Sequence, residues 1–263
     1  RDDAVWLRLR HGRTIHGSQR LAAVGAPEPH GYYARDSGIG RALDLHPLRR
    51  AGKPLRVGVV GLGAGTLAAY GRHGDDFRFY EINPAVTRLS EAPGRVFTYL
   101  RDSRAAIAVV PGDARLALER ERGKGLQRFD VLVLDAFNSG SIPAHLLTTE
   151  ALELYLARLA PDDGLLALHI SNRFLDLRPL VFGLAQAHGL AVAIVERDDP
   201  DGESSSLWAL LAKRPQTLPV PPITPPAGMR TVIWRDDYTN LLALIRLPIP
   251  ERRTDSPAAL EAE

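Results

Sequence analysis

Three carboxylates each stand at the end of an apolar run: Glu81 after Phe79-Tyr80, Asp113 after Val109-Val-Pro-Gly112, and Asp135 after Val131-Leu-Val-Leu134. A fourth run, Val57-Gly-Val-Val60, leads instead into the glycine series Gly61, Gly63 and Gly65. Glycines so spaced let the backbone turn sharply and let a ligand approach the start of a following helix closely. Glu81 falls sixteen residues after Gly65, where a βαβ unit places an acid that can accept from both ribose hydroxyls. Asp113 can accept from the exocyclic amine of adenine, or cap the helix that follows it. Asp135 can bind an ammonium group, take a proton from an attacking amine, or serve only to shape a turn. The spacing GxGxG, in place of GxGxxG, points away from a dinucleotide and toward a sulfonium nucleoside such as S-adenosylmethionine.

Two further stretches carry groups suited to a substrate. In His30-Gly-Tyr-Tyr-Ala-Arg-Asp36, Tyr32 or Tyr33 can hydrogen-bond a substrate amine, or pack under the preceding segment. In Trp234-Arg-Asp-Asp-Tyr238, Asp236 and Asp237 can close a pocket or cap a helix beginning near Thr239. The glycine-containing loop after Asp135 can fold over a ligand as a lid.

The elements that must position these groups alternate. Strands are expected near 56–61, 77–82, 106–110, 129–135 and 164–170, with helices near 65–73, 84–91, 113–121 and 148–160. That order predicts an α/β doubly wound, mostly parallel sheet, with ligand sites beyond the carboxyl ends of its strands. Asp130, at the start of its strand, then faces away from the site. Before the sheet, alternation through Val5, Leu7 and Leu9, and again at Thr14-Ile15, predicts a small β-hairpin, and a helix is expected near 37–45. After it come a helix near 176–188 and an antiparallel edge pair at 190–196 and 206–213. The proline-rich stretch 215–226 acts as a strap. The expected divisions are a hairpin subdomain at 1–29, the Rossmann-like domain at 30–246 and a flexible tail at 247–263.

Composition narrows the partners. The 263 residues are 45% hydrophobic and 24% charged, and the net charge is +2, which fits a soluble globular chain. No run of like charge and no basic-aromatic stripe favours nucleic acid, so a small molecule is the expected partner. The chain has no cysteine, and its eight histidines lack ligand spacing, so no metal is expected. No apolar run approaches the ~18 residues of a membrane span, and no signal peptide is evident. The expected setting is the cytoplasm, free or as the soluble domain of a membrane-associated protein. The first residue, Arg1, fits a piece processed or excised from a longer chain.

Taken together, the hairpin, Tyr32-Tyr33, Gly61 to Thr66, Tyr80-Glu-Ile-Asn83, Gly112-Asp-Ala114 and Asp135 to Leu147 resemble the spermidine synthase (aminopropyltransferase) family. The resemblance covers residues 4–246 and is closer to a divergent bacterial branch, some of whose members are fused to membrane-transporter-like segments. It implies a small N-terminal β-domain before a class I methyltransferase-like Rossmann domain, and favours a dimer. It also implies polyamine-type chemistry on S-adenosylmethionine or its decarboxylated form, with release of methylthioadenosine. By resemblance Glu81 holds the ribose, Asp113 with Ala114 the adenine, and Gln19 is a polar residue near the nucleoside. Asp135 matches the first acid of the family's Asp-x-x-Asp loop, which deprotonates the attacking amine, and Tyr33 or Tyr32 matches the tyrosine that assists it.

Three positions depart from the pattern. The acid that grips the donor ammonium is replaced by Ala64, the second loop acid falls on Asn138, and the later tyrosine-bearing loop, Asp199-Pro-Asp-Gly-Glu203, has no tyrosine. Losing carboxylates from a diammonium site removes its strong, charge-assisted bonds. The acceptor is therefore left open. Methyl transfer from S-adenosylmethionine, or a catalytically silent nucleoside-binding regulatory domain, stand as alternatives.

Overall fold

A computed structural model describes residues 5–11, 14–21, 27–91, 96–122, 128–136, 143–199 and 205–246. The chain opens with an antiparallel pair, β1 (Trp6–His11) and β2 (Thr14–Arg20), with a register shift between Leu9 and Arg10. Helices α1 (Gly38–Asp44) and α2 (Pro47–Arg50) follow, and Ser37 caps α1 by accepting from the Gly40 N–H at 3.2 Å.

The sheet is then built from β3 (Arg56–Val60), β4 (Asp76–Glu81), β5 (Ala106–Pro111), β6 (Val131–Leu134), β7 (Leu165–His169), β8 (Ala191–Arg197) and β9 (Ser206–Ala212). Between strands lie α3 (Pro84–Glu91), α4 (Tyr99–Asp102), α5 (Ala114–Arg122), α6 (Thr149–Arg158) and α7 (Arg178–Ala187). The seven strands run in the order β5-β4-β3-β6-β7-β9-β8; the pairs from β5 to β7 are parallel, and β9 is antiparallel to both β7 and β8.

Continuous apolar runs make the central strands because both of their faces are covered. Val57, Val131 and Leu165 stand in register on one face, with Val59, Val133 and Ala167 two residues on. These pack toward α1 and the hairpin side, whereas Val60, Leu132, Leu134, Leu166 and Leu168 pack toward α5, α6 and α7. The last two strands form the expected antiparallel pair at the sheet edge, with β8 outermost. β9 inserts between β7 and β8, which makes it a largely buried interior strand that carries the fully buried Trp208. The strap runs along β8, where the Ile223 N–H donates to the Val192 carbonyl at 2.7 Å, and ends on the buried Trp234, whose carbonyl accepts from the Thr149 N–H at 2.9 Å.

Two expected helices are absent in α form. In place of one at 65–73 there is a single 3-10 turn, Thr66–Tyr70. It stops at Gly71, where the chain crosses so close to Ser103 and Ala105 that a Cβ would overlap both. No α-helix N-terminus therefore stands behind the glycine turn, in contrast to the pyrophosphate sites of dinucleotide folds. Near Thr239 the chain forms only a 3-10 turn, Leu242–Leu244. The expected tail at 247–263 and the loop at 137–142 lie outside the described residues.

Strand order reverses at β3, which has β4 on one side and β6 on the other. The crevice beyond the carboxyl ends of these two strands is where an open α/β sheet binds its ligand.

Candidate active site

At that crevice lies a cleft of about 860 Å³, within the range of small-molecule sites. Its floor is the glycine turn. Gly61, Gly63 and Gly65 have φ of +97°, +54° and +81°, the left-handed region that side chains disfavour. A Cβ on Gly61 would overlap the Asp135 carbonyl, and one on Gly63 the His16 carbonyl of β2. Gly63 thus serves close docking of the hairpin, and Gly61 the close approach of the chain at Asp135.

Glu81 ends β4 and is 7% exposed at the cleft wall. Its Oε2 accepts from the Leu62 N–H at 2.9 Å and its Oε1 from the Asn83 N–H at 2.7 Å. Backbone donors therefore hold the carboxylate edge-on, and each oxygen keeps a lone pair for a further donor. Beside it the apolar side chains of Ile82, Val86 and Leu89 line the cleft, with Ile82 69% exposed. Asp113 caps α5, accepting from the Leu116 N–H at 2.9 Å, and its other oxygen is 3.3 Å from His145 Nε2. Asp113 and Ala114 both reach the cleft, so the capping role and a ligand role are compatible.

At the other end of the cleft, Asp135 follows β6 and is gripped by two side chains. The Tyr33 hydroxyl donates to Oδ2 at 2.5 Å, and His169 Nδ1 lies 2.7 Å from Oδ1. Burial, then the adjacent Asp135 charge, push the Tyr33 phenol well above its ordinary value, so it remains a donor across the working pH range. Tyr33 is held in turn by its own carbonyl, which accepts from the Tyr70 hydroxyl at 2.6 Å. The His169 ring stacks on Trp208, centroids 4.5 Å apart and 12° from parallel, and the Trp208 Nε1–H donates to the Tyr32 carbonyl at 3.1 Å.

Of the residues singled out in the sequence, the cleft gathers Gly61, Gly63, Glu81, Asp113, Ala114, Asp135, Tyr32 and Tyr33. Gln19 lies elsewhere. Its amide is spent on Thr98, donating to Oγ1 at 2.7 Å and accepting from the Thr98 N–H at 2.8 Å, and so clamps β2 to the segment before α4. Gly65 lies behind the cleft against Leu100. Asp237 is exposed beside Arg235, 3.8 Å away, and does not line the cleft. Its neighbour Asp236 accepts from both Arg115, at 2.6 Å, and Thr148, at 2.7 Å, so it ties the strap to α5 and α6 and caps no helix near Thr239. Asn138 falls outside the described residues.

Ala64 is buried, and β2 explains why. An ideal Cβ on Gly17 would lie 2.6 Å from the Ala64 Cβ, so the hairpin occupies the space that a larger side chain at 64 would need. The residue that sequence reasoning missed is His169. It ends β7, the strand beside β6, and the rule that ligands gather beyond strand carboxyl ends points to it as much as to Asp135. Among the described residues no cluster of three or more metal-ligating side chains occurs, and no helix is long and apolar enough to cross a membrane.

The strand order, the cleft at its reversal and the glycine turn define a class I methyltransferase-like Rossmann fold with a small N-terminal β-hairpin. No protein-family model matches the chain. Over 127 residues it is 34% identical to the polyamine aminopropyltransferase of Vibrio vulnificus, a match that spans 46% of this chain and only 38% of that relative. A probable spermidine synthase from Corynebacterium glutamicum aligns over 80% of this chain and 77% of its own, at 20% identity and a TM-score of 0.44. Human methyltransferase-like protein 13, solved in complex with SAH, aligns over 64% of this chain and 76% of its own, at 20% identity and a TM-score of 0.47.

Proposed function

We propose that the chain is a spermidine synthase-like transferase that uses a sulfonium adenosyl donor, decarboxylated S-adenosylmethionine or S-adenosylmethionine itself, and releases methylthioadenosine. The observation that carries this reading is the pairing of Tyr33 with Asp135 at one end of a cleft whose other end holds Glu81 and Asp113. The partial likeness to a polyamine aminopropyltransferase supports it.

In this reading the ribose hydroxyls donate to the free lone pairs of Glu81, the adenine lies against Ile82, and Asp113 accepts from its amine. The sulfonium carbon is already activated, so the protein has mainly to align a nucleophile with it and remove a proton. An amine lone pair attacks that carbon as the C–S bond breaks. The bonding pair stays on sulfur, which becomes a neutral thioether, and the N–H proton passes to Asp135. The acceptor is a small amine. A second reading is methyl transfer from S-adenosylmethionine in the same cleft; the buried Ala64 offers the donor ammonium no carboxylate in either reading.

Product identity tests both. Incubation with either donor, with and without polyamines, followed by mass spectrometry, is expected to show methylthioadenosine. S-adenosylhomocysteine would establish the second reading instead, and binding without turnover of any donor would leave a silent nucleoside-binding domain.

A further inference from the structure

The imidazole of His169 reaches Asp135 from β7, a strand outside the sequence motifs that mark the cleft. An ionised carboxylate has no proton to give, so at 2.7 Å the proton sits on Nδ1 and His169 is the donor. The ring cannot swing away. It lies flat on Trp208, which is fully buried, and the Tyr32 ring is 5.4 Å from it. Trp208 is fixed from behind by Gly38, where a Cβ would overlap the indole's own Cβ.

Packing alone does not account for a histidine here. Among the described residues its buried Nε2 has no hydrogen-bond partner, a cost a phenylalanine on the same indole would not incur. What the histidine adds is the Nδ1–H on Asp135. With Tyr33 on Oδ2 and His169 on Oδ1, both carboxylate oxygens are held and rotation about the Cβ–Cγ bond is blocked.

We propose that His169 is a positioning residue of the transfer step. It holds Oδ1 so that the remaining lone pairs of Asp135 keep one direction toward the incoming nitrogen. The inference rests on the transferase reading above. The proton leaving the nitrogen goes to Asp135, and His169 keeps its own Nδ1 proton throughout. Among the described residues, the titratable groups against the imidazole are Asp135, just after β6, and Tyr32 from the 31–33 turn, with Tyr33 on the other oxygen of Asp135; β9 faces it with the neutral Trp208, and Glu196 of β8 lines the same cleft.

Two substitutions separate positioning from packing. His169→Phe keeps a ring on Trp208 and removes the donor, whereas His169→Asn keeps an N–H at the Nδ1 position and removes the stack. With the full chain and whichever donor it turns over, His169→Phe is expected to lower kcat about 10- to 150-fold, the fold-change of one hydrogen bond to a charged group. KM and methylthioadenosine affinity should stay within about twofold, and His169→Asn should recover most of kcat. In the unsubstituted chain, nitrogen-15 histidine NMR should show a strongly deshielded Nδ1 proton that moves upfield in Asp135→Asn. An unchanged kcat in His169→Phe, equal losses of kcat and nucleoside affinity, or a histidine signal indifferent to Asp135→Asn would each overturn the inference alone. A chain that turns over no donor would overturn the transferase reading, and the inference with it.

Discussion

Glu81 and Asp135 face one cleft, yet the first carboxylate is held by backbone and the second by side chains. Glu81 takes its donors from Leu62 and Asn83, 19 and 2 residues away, both part of the strand-turn unit that places it. Asp135 takes its donors from Tyr33 and His169, 102 and 34 residues away, on segments that meet it only in the finished fold. A backbone-held acid is suited to a fixed ligand group such as a ribose. An acid held by side chains on separate elements can be tuned one partner at a time.

Removing charge at the side-chain-held acid should give the largest effect. Asp135→Asn is expected to lower turnover by about 10²–10⁴-fold, the contribution of a positioned proton acceptor, with nucleoside affinity nearly unchanged by calorimetry. A comparable loss of affinity would make Asp135 a ligand anchor and erase the contrast. Glu81→Ala should do the reverse. Nucleoside binding is expected to weaken by about 1.5–3 kcal/mol, the range for hydrogen bonds to a charged group, with bound-state turnover much less altered.

The same contrast explains how much was legible in the sequence. The order of strands, the glycine turn and the acids at 81, 113 and 135 follow from local pattern, because each is set by an apolar run and the turn that ends it. From the residues alone the role of Tyr32 or Tyr33 is open between a substrate amine and packing, since no spacing rule links residues on different elements; only the family resemblance sets one of them beside Asp135. His169 was not read at all, although it ends an expected strand. Ala64 looked like a lost carboxylate. In the fold it is also a contact, since β2 approaches so closely at Gly17 that the hairpin itself closes that position. The α-helix expected after Gly65 is a 3-10 turn that stops at Gly71, where the chain crosses close over Ser103 and Ala105.

Hairpin docking offers a sharper test of the backbone-held side. Gly63 has φ +54°, and a Cβ there would overlap the His16 carbonyl. Gly63→Ala therefore combines a left-handed backbone with a clash, and is expected to cost about 1–3 kcal/mol in denaturant unfolding. If the change instead weakens nucleoside binding while stability is unmoved, the turn serves the ligand and the hairpin contact is incidental.

Asp236 is a third acid with distant partners, Arg115 and Thr148, and it carries the smallest prediction because it is exposed. Its carboxyl is held down to about 2 from 3.8, first by the hydrogen bond from Arg115, with burial opposing it and the Thr148 hydrogen bond adding to it. A carboxylate depressed in the folded state adds stability above its unfolded value and loses it as pH falls through the folded one. That contribution should be whole at neutral pH, shrink below roughly pH 4 and be gone near pH 2. With 45% of the Asp236 side chain exposed, solvent screening limits the pair to about 1 kcal/mol or less. Asp236→Asn should therefore lower the midpoint of thermal unfolding slightly at pH 7, and the two chains should converge as pH approaches 2. A gap that persists unchanged to low pH would show that the effect does not come from the carboxylate's charge, and would remove charge from the account of how the strap is held.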